Sequence, residues 1–403
     1  MGDIRIFIID DSSVVRRLLT RVIEEEPGLA VAGQAANGRL ALEKLDALAP
    51  DLVTLDVEMP EMDGLATLVE IRRRRPRLPV IMFSTLTSRG AATTIEALSL
   101  GASDYLTKPA GATSLMESME RLRQDLVPKV RALVRVREER GQDQPARGDL
   151  RSNMTAPSTS GPAQVGPPPL QRAGTSAQLM QHRERYPERR PFQPSGRHLM
   201  RPAELVVVGV STGGPNALAR FIPALPGNLP VPVLIVQHMP PLFTRMLADR
   251  LDQNSQLKVR EAEAGAVLRP GEAWVAKGDW HMEVARESGQ LLLKEHQGPQ
   301  VNSCRPAVDT LFQSAAQACP ATAVAVVLTG MGRDGLRGAR AIREGGGLVL
   351  AQDEESSVVW GMPGAVSNAG VADQVLPLDQ LAPHLLQSLR RDRSTTTGAG
   401  PWR

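Results

Sequence analysis

Eight short apolar runs, each halted by a polar residue or a glycine turn, constrain this chain more than any other feature of its sequence. Four lie in the first third: residues 4–9 end in Asp10-Asp11, 51–55 in Asp56, 78–83 in Ser84-Thr85 and 104–107 in Lys108-Pro109. Four more follow Pro202, at 205–208, 231–236, 323–328 and 347–351. Between them come stretches with helical spacing, among them 14–25, 40–48 and 94–100. Apolar runs alternating with helices at this spacing predict parallel, doubly wound α/β sheets. Residues 273–275, 281–285 and 291–294 read instead as short antiparallel strands inserted between helices. At 403 residues the chain exceeds one ordinary core, so the two blocks predict two domains, 3–120 and 202–393.

The stretch between the blocks loses the rhythm. Residues 121–201 predict a connecting helix and then a linker, with nine prolines, nine arginines, no lysine and four acids between 141 and 201. That composition cannot bury enough apolar surface to order itself, and it predicts a disordered linker. A flexible coil of this length spans about 45 Å root-mean-square, enough for the flanking domains to dock or to separate. The formal charge of +3 therefore averages a basic linker with a slightly acidic remainder of the chain. Solubilising charge is the plain reading of the arginines, and contact with an acidic partner or a membrane surface the alternative. Residues 391–403 read as a frayed tail. The first five residues lack the plan of a signal peptide, and no apolar run approaches the roughly 20 residues of a membrane helix. Cys304 and Cys319 lack metal-ligand or CxxC spacing, which suits a reducing compartment. A soluble cytoplasmic protein is expected.

In an open parallel sheet, ligands sit outside the carboxyl ends of the strands. Asp10, Asp11, Asp56, Ser84 and Lys108 all fall there. Three carboxylates suit a hard cation such as Mg²⁺. A hydroxyl and a lysine complete a cradle for a transferred phosphoryl group, with Asp56 as the attacking oxygen. One such residue could merely end a strand; five at the ends of four successive runs argue for a site. Asp10-Asp11, Asp56-Val57-Glu58-Met59-Pro60 with Asp63-Gly64, Ser84 and Lys108-Pro109 resemble the response-regulator receiver family over nearly all of 3–120. The resemblance implies a flavodoxin-like fold and transfer of phosphate to Asp56 from a histidine kinase. It also implies Mg²⁺ held by Asp10, Asp11, Asp56 and the Glu58 backbone carbonyl, with Ser84, Lys108 and Tyr105 as the switch. Arg72 to Arg75 close a helix, where cations complement the macrodipole.

In the second block an apolar run stops at Ser211, and Gly213-Gly214-Pro215 open a helix. Such a turn exposes the hydroxyl and aims backbone N–H groups at the space in front of it, which suits an oxyanion. Gly209-Val210-Ser211-Thr212-Gly213 fits the G-x-S-x-G elbow, though glycine turns commonly fit it and a phosphate- or nucleotide-binding turn stays open. A nucleophile needs a base. Of six histidines, His182 and His198 fall in the linker, and His296 and His384 hold no strand-end position. His238 leaves its run on the same edge as Ser211, whereas His281 suits a scaffolding or rim role. The acid follows from the run 323–328, which leads into Thr329-Gly330-Met331-Gly332-Arg333-Asp334-Gly335 and presents Asp334. Asp353 is the stronger rival, and Asp309 falls on a helix. Ser211, His238 and Asp334 at three strand ends meet the requirement of a nucleophilic triad, with the Thr212 N–H and one from the 330–332 turn as oxyanion donors.

Ser211-Thr212-Gly213-Gly214, Gln237-His238-Met239-Pro240, Pro306-Ala307-Val308-Asp309, the 329–335 turn and Trp360-Gly361-Met362-Pro363 resemble the chemotaxis protein-glutamate methylesterase (CheB) family over about 202–388. The order of receiver then esterase matches that family too. The resemblance implies a Rossmann-like domain, with Ser211, His238 and Asp334 as the triad, Thr212 and Met331 at the oxyanion site, and no cofactor for the esterase. The implied substrates are glutamyl methyl esters on cytoplasmic helices of methyl-accepting chemoreceptors, with glutamines deamidated by the same acyl chemistry. The implied phosphodonor is a chemotaxis histidine kinase, and the unphosphorylated receiver would cover the cleft. The linker is longer and richer in Pro and Arg than is usual there. Two rivals remain: a nucleotide- or nucleic-acid-binding second domain, which lacks a helix-turn-helix signal and a basic face, and a general carboxylesterase. Neither nucleic-acid binding nor direct membrane insertion is expected.

Overall fold

The computed structural model describes residues 2–108, 115–142 and 195–390. Most of the expected linker at 141–201 and all of the expected tail at 391–403 lie outside the described residues. Five strands form the first sheet: β1 (Ile4–Ile9), β2 (Leu29–Ala35), β3 (Leu52–Asp56), β4 (Val80–Ser84) and β5 (Asp104–Thr107). They run parallel in the order β2-β1-β3-β4-β5. The helices are α1 (Ser13–Glu24), α2 (Gly38–Leu48), α3 (Gly64–Arg74), α4 (Ser88–Ser99) and α5 (Leu115–Gln142). Each of the first four starts where a side chain meets an orphan amide, with Ser12, Asn37, Asp63 and Thr87 accepting from the residue three positions on. The helix α5 lays Leu122, Leu126, Val130 and Leu133 against the same apolar cluster as Ile6, Ile8 and Phe83. That spacing puts them on one face.

The second domain holds β6 (Leu205–Val210), β7 (Val233–Gln237), β8 (Lys258–Glu261), β9 (Glu272–Val275), β10 (His281–Glu287), β11 (Gln290–His296), β12 (Ala323–Val327), β13 (Leu348–Gln352) and β14 (Gln374–Leu376). Its helices are α6 (Gly214–Phe221), α7 (Phe243–Asn254), α8 (Val308–Ala318), α9 (Leu336–Glu344), α10 (Met362–Asn368) and α11 (Leu378–Arg390). Seven strands make one parallel sheet, β14-β13-β12-β6-β7-β9-β8. Residues 273–275 depart from expectation. They are not an antiparallel insertion but the body of β9, parallel to β7 with Val233 opposite Ala273. Ala273, Trp274 and Val275 are all buried, as residues covered on both faces of a parallel sheet must be. The other two short strands do pair antiparallel, as the hairpin β10–β11. Its turn, Ser288-Gly289, has positive φ at both residues, which matches the twist of the flanking strands.

Both sheets reverse direction of growth beside their first strand. After β2 the chain crosses β1 to lay down β3, and after the β7 side it crosses β6 to lay down β12. The crevices outside β1/β3 and β6/β12 are therefore where a doubly wound sheet takes ligands. The two domains touch. The helix α4 lies against α6 and α7. The Tyr105 ring stacks on Phe243 at 4.9 Å and 13°, and Asn216 Nδ2 donates to the Ala102 carbonyl at 3.1 Å. Among the described residues no helix is long and apolar enough to cross a membrane.

Candidate functional site

The crevice beside β6 assembles from strand register. Val210 pairs with Gln237, so Ser211 and His238 are the first residues past two adjacent strand ends, and His238 N–H donates to the Val210 carbonyl at 3.3 Å. Ser211 N–H reaches across to the Thr329 carbonyl of the third strand end at 3.0 Å. The chain then turns sharply: Gly214 N–H donates to the Ser211 carbonyl at 2.7 Å, and Gly213 adopts φ +75°. A side chain at Gly213 would also meet Val358 at 2.5 Å, so this position needs glycine for both conformation and space. No side chain caps α6, and among the described residues no protein acceptor engages the Thr212 or Met331 N–H.

His238 Nε2 and Asp334 Oδ2 lie 2.8 Å apart. Asp334 is buried and held by a dense donor set. Its Oδ2 also accepts from Val308 N–H at 2.6 Å, and its Oδ1 accepts from Asn302 Nδ2, Asp309 N–H and Gly335 N–H at 2.7, 3.0 and 3.0 Å. Val308 and Asp309 open α8, which lacks a cap of its own, so Asp334 serves as that helix's cap from another loop. Burial works against the Asp334 charge, but His238 and the backbone donors outweigh it and hold its carboxyl below the usual range. Burial likewise opposes a charged His238. Its hydrogen bonds to Asp334 and Cys304 prevail and raise it to about 9. The other ring nitrogen, Nδ1, faces Cys304 Sγ at 3.6 Å. Among the described residues, no hydrogen bond joins Ser211 Oγ to His238.

Asp309, Asp353 and His281 each take other partners. Asp309 turns its carboxylate to Asn302 Nδ2 and Gly338 N–H, and Asp353 caps its own turn through Ser356. His281 is buried, with Nε2 on the Pro299 carbonyl at 3.0 Å and Nδ1 accepting from Ala307 N–H at 3.3 Å. It ties Pro299 to the loop before α8. Two residues of the site escaped the sequence reading: Asn302, which bridges Asp309 and Asp334, and Cys304. Both come from the segment ahead of Pro306-Ala307-Val308-Asp309, where neither strand-end logic nor ligand spacing applies.

In the first domain Asp10 and Asp56 are buried at the ends of β1 and β3, and Asp11 is exposed beside them. One oxygen of each residue lies within 4.8 Å of the others. Lys108 Nζ reaches Asp56 Oδ2 at 2.8 Å and Asp10 Oδ2 at 3.2 Å. Burial raises Asp56 to about 6, with Asp10 adding and Lys108 opposing, and burial raises Asp10 as well. Glu58 N–H points at Asp56 Oδ1 from 3.4 Å. Ser84 Oγ donates into α4, to the Gly90 carbonyl at 3.1 Å, and Tyr105 is buried against Phe243 of the second domain.

Residues 206–385 match the model of the CheB methylesterase family, and 6–120 match that of the response regulator receiver domain. Among curated relatives, a protein-glutamate methylesterase/protein-glutamine glutaminase of a Nocardioides species is 46% identical over 99% of this chain and 99% of its own length. The Trichodesmium erythraeum protein of the same name is 43% identical over 96% of this chain and 100% of its own. A third, from Caulobacter vibrioides, is 44% identical over 96% and 99%. Nothing in the fold or in these relatives favours a nucleic-acid-binding second domain. With similarity running the length of both sheets and the segment that joins them, the chain belongs to the protein-glutamate methylesterase/protein-glutamine glutaminase family of carboxylic-ester hydrolases.

Proposed function

We propose that Ser211, His238 and Asp334 hydrolyse glutamyl methyl esters, and deamidate glutamines, on the cytoplasmic part of a chemoreceptor, and that phosphorylation of Asp56 by a histidine kinase controls them. One observation carries the reading: Asp334, clamped by the start of α8, engages His238, whose strand end is the register neighbour of Ser211. In the reaction Ser211 Oγ attacks the ester carbonyl while His238 takes its proton. The Thr212 and Met331 N–H groups stabilise the oxyanion. Collapse breaks the bond to the methoxy oxygen, and His238 returns the proton so that methanol leaves. Water then attacks the acyl-serine by the same proton route and frees glutamate. From glutamine the departing group is ammonia. For His238 to accept from Ser211, its Nδ1 must shed the proton that the raised value holds there and turn from Cys304 to the serine hydroxyl.

Receiver control has a physical basis in the docked arrangement. Val359, with Val358 and Met331 beside it, shares an apolar cluster with Met119 and Leu122 of α5. Val358 packs over Gly213, and Val359 accepts from Gly330 N–H, so the receiver rests on the rim of the serine turn. Phosphorylation of Asp56 would recruit Lys108 and draw the Ser84 hydroxyl away from α4. Both α4 and Tyr105 lie in the interdomain contact. Asp56→Asn is expected to abolish stimulation of methanol release by an acyl phosphate and to leave the unstimulated rate within about twofold, since among the described residues no hydrogen bond or ion pair joins Asp56 to the second domain. Equal stimulation in the variant would sink receiver control.

Asp10, Asp11 and Asp56 would hold Mg²⁺, an oxygen-rich set in which, among the described residues, buried Asp10 Oδ2 and Asp56 Oδ2 face only Lys108. Bound there, the ion would neutralise charge on the incoming phosphoryl group. Because Asp56 is raised from 3.8 to about 6, the folded receiver holds its proton more tightly than the unfolded chain does. Its stability therefore falls as pH climbs through that interval. Mg²⁺ competes with the same protons. Thermal melts should show a larger stabilisation by Mg²⁺ at pH 7 than at pH 5, and an equal shift at both would argue against these carboxylates as the ligands.

A further inference from the structure

Cys304 has no part in the reaction proposed above, yet it stands against the base. Its Sγ lies 3.6 Å from His238 Nδ1, on the side of the ring opposite the 2.8 Å contact with Asp334. A carboxylate on the far N–H is how proteins orient a histidine that ligates a metal through its other nitrogen. The three residues place ligand atoms within 4.8 Å of one another. The Asp334 oxygens are already committed to Val308, Asp309 and Gly335 N–H and to Asn302, so the acid suits the orienting role and not a metal bond. Thiolate with imidazole selects a borderline ion, and above all Zn²⁺. The distance agrees. Zn–S near 2.3 Å and Zn–N near 2.0–2.1 Å at a tetrahedral angle separate the two ligand atoms by about 3.6 Å. Access agrees as well, since the His238 side chain is 14% exposed and Cys304 is half-buried.

We infer that Cys304 Sγ and His238 Nδ1 form a two-ligand Zn²⁺ site that reversibly silences the esterase. On binding, the Cys304 thiol and the His238 Nδ1–H each release a proton to solvent, one Zn–S and one Zn–N bond form, and water completes the coordination. A coordinated Nδ1 has no lone pair left for the Ser211 proton. The inhibition, unlike the binding, rests on the triad reading. The receiver carboxylates prefer harder ions, so Mg²⁺ and Zn²⁺ sort between the two sites by ligand chemistry.

The test uses the untagged full chain in excess Mg²⁺, with Co²⁺ as a spectroscopic probe and Zn²⁺ as the inhibitor. Co²⁺ should give a near-ultraviolet thiolate-to-metal charge-transfer band that Zn²⁺ removes. Zn²⁺ should also stop methanol release, and a chelator should restore it. Cys304→Ala, or Cys304→Ser should the alanine variant not fold, loses the band. Its half-inhibiting Zn²⁺ concentration rises at least about tenfold, each variant compared with its own zinc-free rate. Cys319→Ala keeps the band. A wild-type protein without the band, or a band and inhibition unchanged in the Cys304 variants, overturns the site. A Cys304-dependent band without inhibition upholds the site and overturns instead the role of His238 as base.

Discussion

Exchanging Ser211 for alanine is expected to lower methanol release from methylated receptor by a factor on the order of 10⁴ or more, with acyl-phosphate labelling of Asp56 unchanged. The size follows from what is lost. Without Oγ there is no acyl-serine, and only the oxyanion donors and substrate positioning remain to help water. The selectivity follows from what is kept. Ser211 N–H bonds the Thr329 carbonyl, and the Ser211 carbonyl accepts from Gly214 N–H and Gln237 Nε2, so the turn is held by backbone groups that the substitution spares. Mass spectrometry of the quenched enzyme gives a second readout, an acyl adduct in the wild type and none in the variant. Esterase activity near the wild-type rate would remove Ser211 from the mechanism.

Asp334→Asn should cost about 10⁴ in kcat with little change in KM. Every group around Asp334 donates: His238 Nε2 and Val308 N–H on one oxygen, and Asn302 Nδ2, Asp309 N–H and Gly335 N–H on the other. An amide has one oxygen to offer. If that oxygen satisfies the trio, the NH₂ confronts His238 and Val308. The ring must then present a bare Nε2 and carry its proton on Nδ1, the tautomer that cannot accept from serine. If the amide turns over, the NH₂ meets three donors instead. Either way a buried donor is left facing a donor, at a cost of about 1–3 kcal/mol in stability. Denaturant unfolding measures that loss separately from kcat. Wild-type turnover in a folded Asp334→Asn protein would refute the acid's role.

How far the sequence carried these conclusions depended on strand burial. Strands covered on both faces, such as 205–210 and 323–327, read as unbroken apolar runs, and the polar residue that ends each one falls on the ligand edge. That logic placed Asp10, Asp56, Ser211 and His238 on that edge, and the glycine turn after the run 323–328 presented Asp334. It failed at the margins. The edge strand Leu29–Ala35 is built of small residues and buries only Leu29 and Ala35, and Lys258–Glu261 is charged, as an edge that must avoid aggregation tends to be. The pairing sense of 273–275 was misread because a run of three apolar residues carries no information about direction. Asn302 and Cys304 were out of reach for a different reason. They enter the site from a loop with left-handed backbone at Asn302 and Ser303, and no periodic pattern marks such a loop.

The stack of Tyr105 on Phe243 ties the two crevices together, because Tyr105 shares β5 and its exit with Lys108, which holds Asp56. Coupling free energy runs equally in both directions. If the phosphorylated receiver binds its neighbour more weakly, the phosphorylation equilibrium of the undocked receiver must lie further toward the Asp56 phosphate by the same factor. A receptor segment that occupies the esterase crevice and displaces the receiver would then make the protein a better phosphoacceptor. Substrate would act as its own activator, and the enzyme would be most easily switched on where methylated receptors are already crowded around it.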